Sequence, residues 1–259
     1  MRFALYFAPD PSSLLWKLGC KWLGRDALLR KKIEQDVFTE IQPDRMYELT
    51  RIPRRYGLHA TLKPPFRLAG CRHEDELSSA INAFSSQWQS FSTSPLILCQ
   101  INDFFCLCPE SQPLQLNELA ASCVEKFDSF RAPPTRLELA RRRAEILTPF
   151  QKHNLANWGY PYVMDEYRFH ITLTGRITDT YERKILHCLL TDFFAPVLRK
   201  PLVIESLCLF VEPAPGRSFF CSKYFPFNND NQSMKDTLTI GSSGIPNREV
   251  NKSEHKQNI

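Results

Sequence analysis

No apolar run in this 259-residue chain is long enough to span a bilayer. The opening RFALYFAPDPSS has too short an apolar stretch, and no small-residue cleavage pattern, to read as a signal peptide. Cysteine is present but unorganised: the nine residues are an odd number at irregular spacings, and Cys106-x-Cys108 is one residue short of a CxxC pair. These absences argue against a membrane protein and a secreted disulfide framework. The expectation is a bacterial cytoplasmic chain with reduced thiols.

At 43% hydrophobic residues, the chain can bury a full core. The polar stretch 228–259 balances four Lys or Arg against four Asp or Glu and is expected to be a disordered tail. The net charge of +5 therefore belongs to the remainder, read as one bilobal domain over 1–227. Between Arg51 and Arg72 lie six basic residues (Arg51, Arg54, Arg55, Lys63, Arg67, Arg72) and no acidic one. Either an anionic ligand or a solvated basic loop fits such a stretch.

Inside it stands the phrase HATL (His59–Leu62), which returns as HITL (His170–Leu173). On a strand, side chains alternate with period two, so His and Thr share one face and Leu takes the other. Two such strands side by side would converge two imidazoles and two hydroxyls on a site the size of one phosphate.

The phrases sit in a longer repeat. Leu77, Ile81, Phe84, Trp88 and Phe91 mark an apolar helical stripe after the first, and Tyr181, Ile185, Leu189 and Phe193 mark one after the second. Then come strand-like segments from Pro95 to Pro109 and from Pro201 to Pro213. Arg2–Ala8 reads as an opening strand, Pro11–Leu23 as a first helix, Leu116–Phe130 as a helix closing the first half, and Phe219–Phe227 as a last strand. Two segments fall outside the repeat. Residues 24–56, charged and interrupted by Pro43 and Pro53, read as a lid-like loop. Residues 131–167 read as helical, with Arg141, Arg142 and Arg143 solvent-facing on a first helix. The second has Thr148 as N-cap, Pro149 in its first turn, Gln151 closing a capping box and Gly159 past its end.

Cleaving a phosphodiester needs a base for the nucleophile, an acid for the leaving oxygen, and donors for the equatorial oxygens. His59 and His170 can supply acid and base, since an unperturbed imidazole titrates near pH 6.5. Thr61 and Thr172 can supply the donors. The histidines have no third His, Cys or carboxylate at ligand spacing, which makes an incomplete metal site, so neither metal nor cofactor is expected. His73 and His187 lack a Thr partner and read as structural.

The doubled His-x-Thr-Leu phrase resembles the two-histidine (2H) phosphoesterase superfamily. Longer blocks narrow the resemblance: RRYGLHATLKPPFRL (Arg54–Leu68), ELARRRAEILTPFQ (Glu138–Gln151), WGYPYV (Trp158–Val163), FHITLTGR (Phe169–Arg176) and SLCLFVEP (Ser206–Pro213) are similar to the branch named for phosphonate metabolism. The resemblance implies an α+β fold of two pseudo-symmetric lobes with antiparallel sheets around a central groove. It implies catalytic roles for His59 and His170, with Thr61 and Thr172 on the phosphate oxygens and Arg55, Tyr56 and Lys63 as substrate-binding candidates. Three functional readings stay open. One is a phosphodiesterase acting on a cyclic phosphate or small nucleotide or ribose diester. The second is an RNA-end enzyme that processes 2',3'-cyclic phosphates or makes 2'-5' joints. The third is a non-catalytic module that binds nucleotide or RNA.

Overall fold

The structure, a computed structural model, describes residues 1–136, 138 and 146–228. The cluster Arg141–Arg143 and the tail beyond Asn228 lie outside the described residues. Ten strands occur among the described residues: β1 (Arg2–Phe7), β2 (Arg25–Asp26), β3 (Lys31–Lys32), β4 (Ala60–Phe66), β5 (Phe91–Ile101), β6 (Phe104–Pro109), β7 (Ile171–Thr172), β8 (Pro201–Ile204), β9 (Ser206–Glu212) and β10 (Phe220–Pro226). The helices are α1 (Leu14–Leu23), α2 (Pro43–Tyr56), α3 (Glu74–Ser85), α4 (Leu114–Lys126), α5 (Pro149–Trp158) and α6 (Thr180–Phe194). Eight strands form one sheet in the order β10-β9-β1-β4-β7-β6-β5-β8, with every neighbouring pair antiparallel. The fold is α+β, and β2 and β3 make a separate small hairpin.

The sheet has its centre between the two motif strands. Read outward, one half runs β4-β1-β9-β10 and the other β7-β6-β5-β8. Along the chain, β1-α1-β4-α3-β5 is matched by β6-α4-β7-α6-β9. The repeat is therefore shifted from the sequence expectation: α4 opens the second unit as the counterpart of α1, instead of closing the first. Each unit also gives its last strand away, because β5 pairs with β6 of the second unit and β9 pairs with β1 of the first. The halves of the sheet are lobes built from both repeats.

The two extra segments enter at equivalent points, between α1 and β4 and between α4 and β7. Residues 24–56 are not a loose lid, and the reading of them as a loop is corrected. Pro43 sits in the first turn of α2, where an N–H would have no partner, and Pro53 lies in its last turn. Met46, Leu49, Thr50 and Pro53, at the i, i+3, i+4 and i+7 positions of one helical face, are buried. The Leu49 carbonyl accepts the Gly175 N–H at 2.6 Å, and Arg45 grips Glu182 of α6 through two bonds of 2.6 and 2.7 Å. The helix belongs to the body.

Two further expectations change. The stripe expected to run through Phe91 ends as helix at Ser85, because Phe91 starts β5 and pairs with Ile204. The cysteines are not all reduced, since Cys99 and Cys108 are joined across β5 and β6 while seven thiols remain free. The caps of α5 are as expected: Thr148 and Gln151 make both bonds of the capping box, and Gly159 takes the left-handed conformation at φ 72°. No helix among the described residues is long and apolar enough to cross a membrane.

Candidate active site

The site is built on the pairing of β4 with β7 at Ala60 and Ile171, both fully buried on the core face. Continuing that antiparallel register by one residue each way sets His59 opposite Thr172 and Thr61 opposite His170. Each histidine thus faces the other motif's threonine across the strand pair. All four turn away from the core side occupied by Ala60, Leu62, Ile171 and Leu173.

Both imidazoles are held in the same way. His59 Nδ1 lies 2.9 Å from the Gly57 carbonyl, and His170 Nδ1 lies 2.8 Å from the Arg168 carbonyl, two residues back in each case. A carbonyl only accepts, so each Nδ1 carries the proton and each Nε2 keeps its lone pair for the groove. Gly57 makes this turn at φ 83°, and a Cβ there would meet the Ala27 Cβ at 2.4 Å. On the other side, the Phe169 N–H donates to Gln112 Oε1 at 2.6 Å, fixing the approach to His170.

The surroundings of the two rings differ. His59 stacks on Tyr6 with ring centroids 4.0 Å apart and is flanked by Tyr56 and Phe210. His170 has Phe104 at 5.9 Å. Burial pulls the His59 pKa down to about 4, with the Gly57 bond opposing and His170 adding in the same direction. Burial also lowers that of His170. With no anion bound, both rings are neutral near pH 7. A phosphate between them would favour the protonated form of either.

The groove has two arms, which share Thr61, Pro64 and Tyr160 in their walls. The arm on the His59 side encloses about 330 Å³ and is net cationic, with Arg2, Arg67 and Arg131 beside Tyr6, Tyr56 and Trp158, and one carboxylate, Glu138, which pairs with Arg67 at 3.3 Å. The arm on the His170 side encloses about 690 Å³, with Phe104, Tyr162, Tyr167, Arg168 and Arg176 in its walls. The segment inserted between α4 and β7 forms much of the roof. Its first residues extend β4: the Ala132 N–H donates to the Arg67 carbonyl at 2.7 Å, and Leu68 bridges Arg131.

Of the three substrate-binding candidates, Tyr56 lines the groove. Lys63 also borders it, but its side chain is 2% exposed and its ammonium bonds the Val124 carbonyl at 2.9 Å and Asp128 at 3.4 Å. Arg55 is not among the lining residues; it binds Glu212 and the Arg217 carbonyl, and Glu212 in turn binds Arg2 at 2.5 Å. The basic stretch is thus dispersed. Arg51 pairs with Glu48, Arg54 donates to the Leu23 and Tyr47 carbonyls, and Arg72 pairs with Glu76. The sequence reading passed over Tyr6, Arg2 and Arg131. Arg67 lay within the basic stretch and Trp158 and Tyr160 within a block already singled out, whereas Tyr6 is marked only by pairing with Thr61.

Fold and groove together define a two-repeat α+β protein whose groove is walled by His59, Thr61, Thr172 and His170. Residues 61–220 match the family model described as "Protein of unknown function (DUF1045)", and the chain belongs to that family. It is 33% identical over 253 residues to a protein of Janthinobacterium sp. (strain Marseille) named ribose 1,5-bisphosphate phosphokinase PhnN, covering 94% of this chain and 56% of that one. It is 35% identical over 226 residues to the protein of the same name from Laribacter hongkongensis (strain HLHK9), covering 85% and 50%. The chain spans about half the length of these relatives. Among solved structures, E. coli LigT complexed with 3'-AMP aligns at TM-score 0.42 and 13% identity, over 88% of this chain and 98% of that one. A structure described as a phosphoesterase aligns at 0.39 and 12%, with the same shares covered.

Proposed function

We propose that this chain is a metal-independent phosphodiesterase that hydrolyses a cyclic phosphate, or a small nucleotide or ribose phosphodiester, by acid–base catalysis between His59 and His170. The observation that carries the reading is the Ala60–Ile171 register, whose continuation sets His59 opposite Thr172 and His170 opposite Thr61, together with the carbonyl two residues back that holds each imidazole. One neutral Nε2 takes a proton from water as its oxygen bonds to phosphorus. The other imidazole, protonated at Nε2 once the anion is bound, gives that proton to the ester oxygen as its bond to phosphorus breaks. The threonine hydroxyls donate to the equatorial oxygens, and the near-symmetry lets the histidines exchange roles in the reverse reaction.

The cationic arm beside His59 supports an anionic substrate with negative charge beyond the reacting phosphate. The ribose bisphosphate in the name of the two longer relatives is a compound of that kind, and their PhnN name accords with a link to phosphonate metabolism. The reading includes a cytoplasmic location. The aromatic arm on the His170 side keeps RNA ends with 2',3'-cyclic phosphates as the second reading.

The test is hydrolysis, in EDTA, of a panel of 2',3'-cyclic nucleotides, ribose 1,2-cyclic phosphate and a cyclic-phosphate-ended RNA. Turnover of a small cyclic ester should fall by about 10² to 10⁴ in His59→Ala or His170→Ala. Turnover of RNA alone moves the assignment to the second reading. Binding without any turnover leaves a nucleotide-binding module, and activity lost in EDTA but restored by zinc or manganese overturns the metal-independent mechanism.

A further inference from the structure

Arg131 reaches the His59-side arm from a network that the proposed chemistry does not use. Its Nε and Nη2 lie 2.7 and 3.0 Å from the two oxygens of Asp128, a side-on bidentate pair, and Nη2 also meets the Asn157 carbonyl at 3.0 Å. Nη1 has no hydrogen-bond partner among the described residues and packs against Gly159, where a Cβ would stand 3.0 Å away. Asp128 also receives the buried Lys63 ammonium. Lys63 follows Thr61 by two residues on β4 and is anchored to the last turn of α4 through the Val124 carbonyl.

One carboxylate therefore serves two cations. A purely structural ion pair balances charge one for one, whereas this triad keeps a net positive charge, and Arg131, 17% exposed, is the member that borders the groove. The same pattern recurs across the arm, where Glu212 is shared by Arg2 in the groove wall and Arg55 outside it. A guanidinium held at Nε and Nη2 is preorganised, so it loses little conformational freedom when an anion arrives at Nη1.

We propose that Asp128 is a positioning residue: it holds Arg131 toward a phosphoryl group in the His59-side arm and ties it, through Lys63, to the strand that carries Thr61. The proposal rests on the anionic substrate argued above but not on turnover. Inorganic pyrophosphate, titrated by calorimetry, is the probe. Asp128→Asn keeps the shape and removes the charge, and should weaken binding about tenfold, the scale of one charge-assisted pair. Arg131→Met should do the same, and the double variant should be no weaker than either single one. Arg131→Lys retains the charge but not the bidentate hold, so it should bind about fivefold more weakly than wild type. Asp128→Glu should recover most of the affinity. Additive losses, or wild-type affinity in Asp128→Asn or Arg131→Lys, overturn the proposal. Should Asp128→Asn fail to fold, Arg131→Lys decides alone. A chain that turns over nothing in the panel yet shows this pattern loses the phosphodiesterase reading and keeps this one.

Discussion

Replacing His59 with Asn should make the protein more resistant to acid. Asn can still donate an amide N–H to the Gly57 carbonyl, so the substitution isolates the loss of a titrating group. In the unfolded chain the ring titrates near 6.5, and in the fold burial holds it at about 4. Above pH 6.5 the ring is neutral in both states and its contribution is complete. As pH falls toward 4, the unfolded chain takes a proton that the folded chain refuses, and stability drains away. For one group the wild type should lose about 2 kcal/mol at pH 5 and about 3 kcal/mol at pH 4, relative to neutral pH. Urea unfolding of wild type and His59→Asn at pH 7, 6, 5 and 4 measures it, because the difference between the curves cancels the other titrating groups. The gap should shift toward the variant by about these amounts as pH falls. Parallel curves would mean that solvent reaches His59 freely, removing the physical reason for a neutral ring in the groove. His170, lowered for the same cause, should act in the same direction.

Two further tests probe the same construction. The Thr61→Ala/Thr172→Ala double variant should lose about 10² in turnover by removal of charge-stabilising donors, and a wild-type rate would refute their role. Gly57→Ala should cost about 1–3 kcal/mol, because its φ of 83° disfavours a side chain and Ala27 fills the space a Cβ needs. It should also slow turnover by displacing the carbonyl that orients His59. Thermal melts and single-turnover rates read the two effects separately.

The sequence carried what is local. Period two in HATL and HITL separates His and Thr from Leu, and the structure keeps that separation, with Leu62 and Leu173 buried behind the groove. The caps of α5 were legible because a capping box is satisfied within four residues. Partner choice was not. Nothing in the apolar pattern of β5 or β9 says that each would join strands of the other repeat, since a strand's periodicity specifies its faces and not its neighbours. Trp88 and Phe91 continued the phase of α3, but pairing with β8 claimed Phe91 for the sheet. In α2 two prolines were read as interruptions, and the stripe of Met46, Leu49 and Thr50, which Pro53 itself continues, was overlooked. The bond between Cys99 and Cys108 depends on adjacent strands, which residue spacing does not reveal. Within the site, the histidines and threonines were readable from a repeated phrase. The groove arginines were not, because guanidinium direction is set by carboxylates such as Asp128 and Glu212, distant in sequence from some of the cations they hold.

The exchange of last strands makes the two repeats kinetically dependent on each other. Arg2 pairs with Glu212 and Phe3 with Val211, so β1 has its outer flank covered only after β9 emerges from the ribosome. Until then β1 presents an open edge along an apolar segment, Phe3 to Phe7. Contacts of such wide sequence separation fold slowly, because the entropy of closing the chain is lost before the pairing compensates for it. β4, which carries Thr61, lies directly inside that late pairing, on the other flank of β1. A chain halted before residue 206 would lack the strand that covers β1, leaving the His59 half of the groove without its outer support.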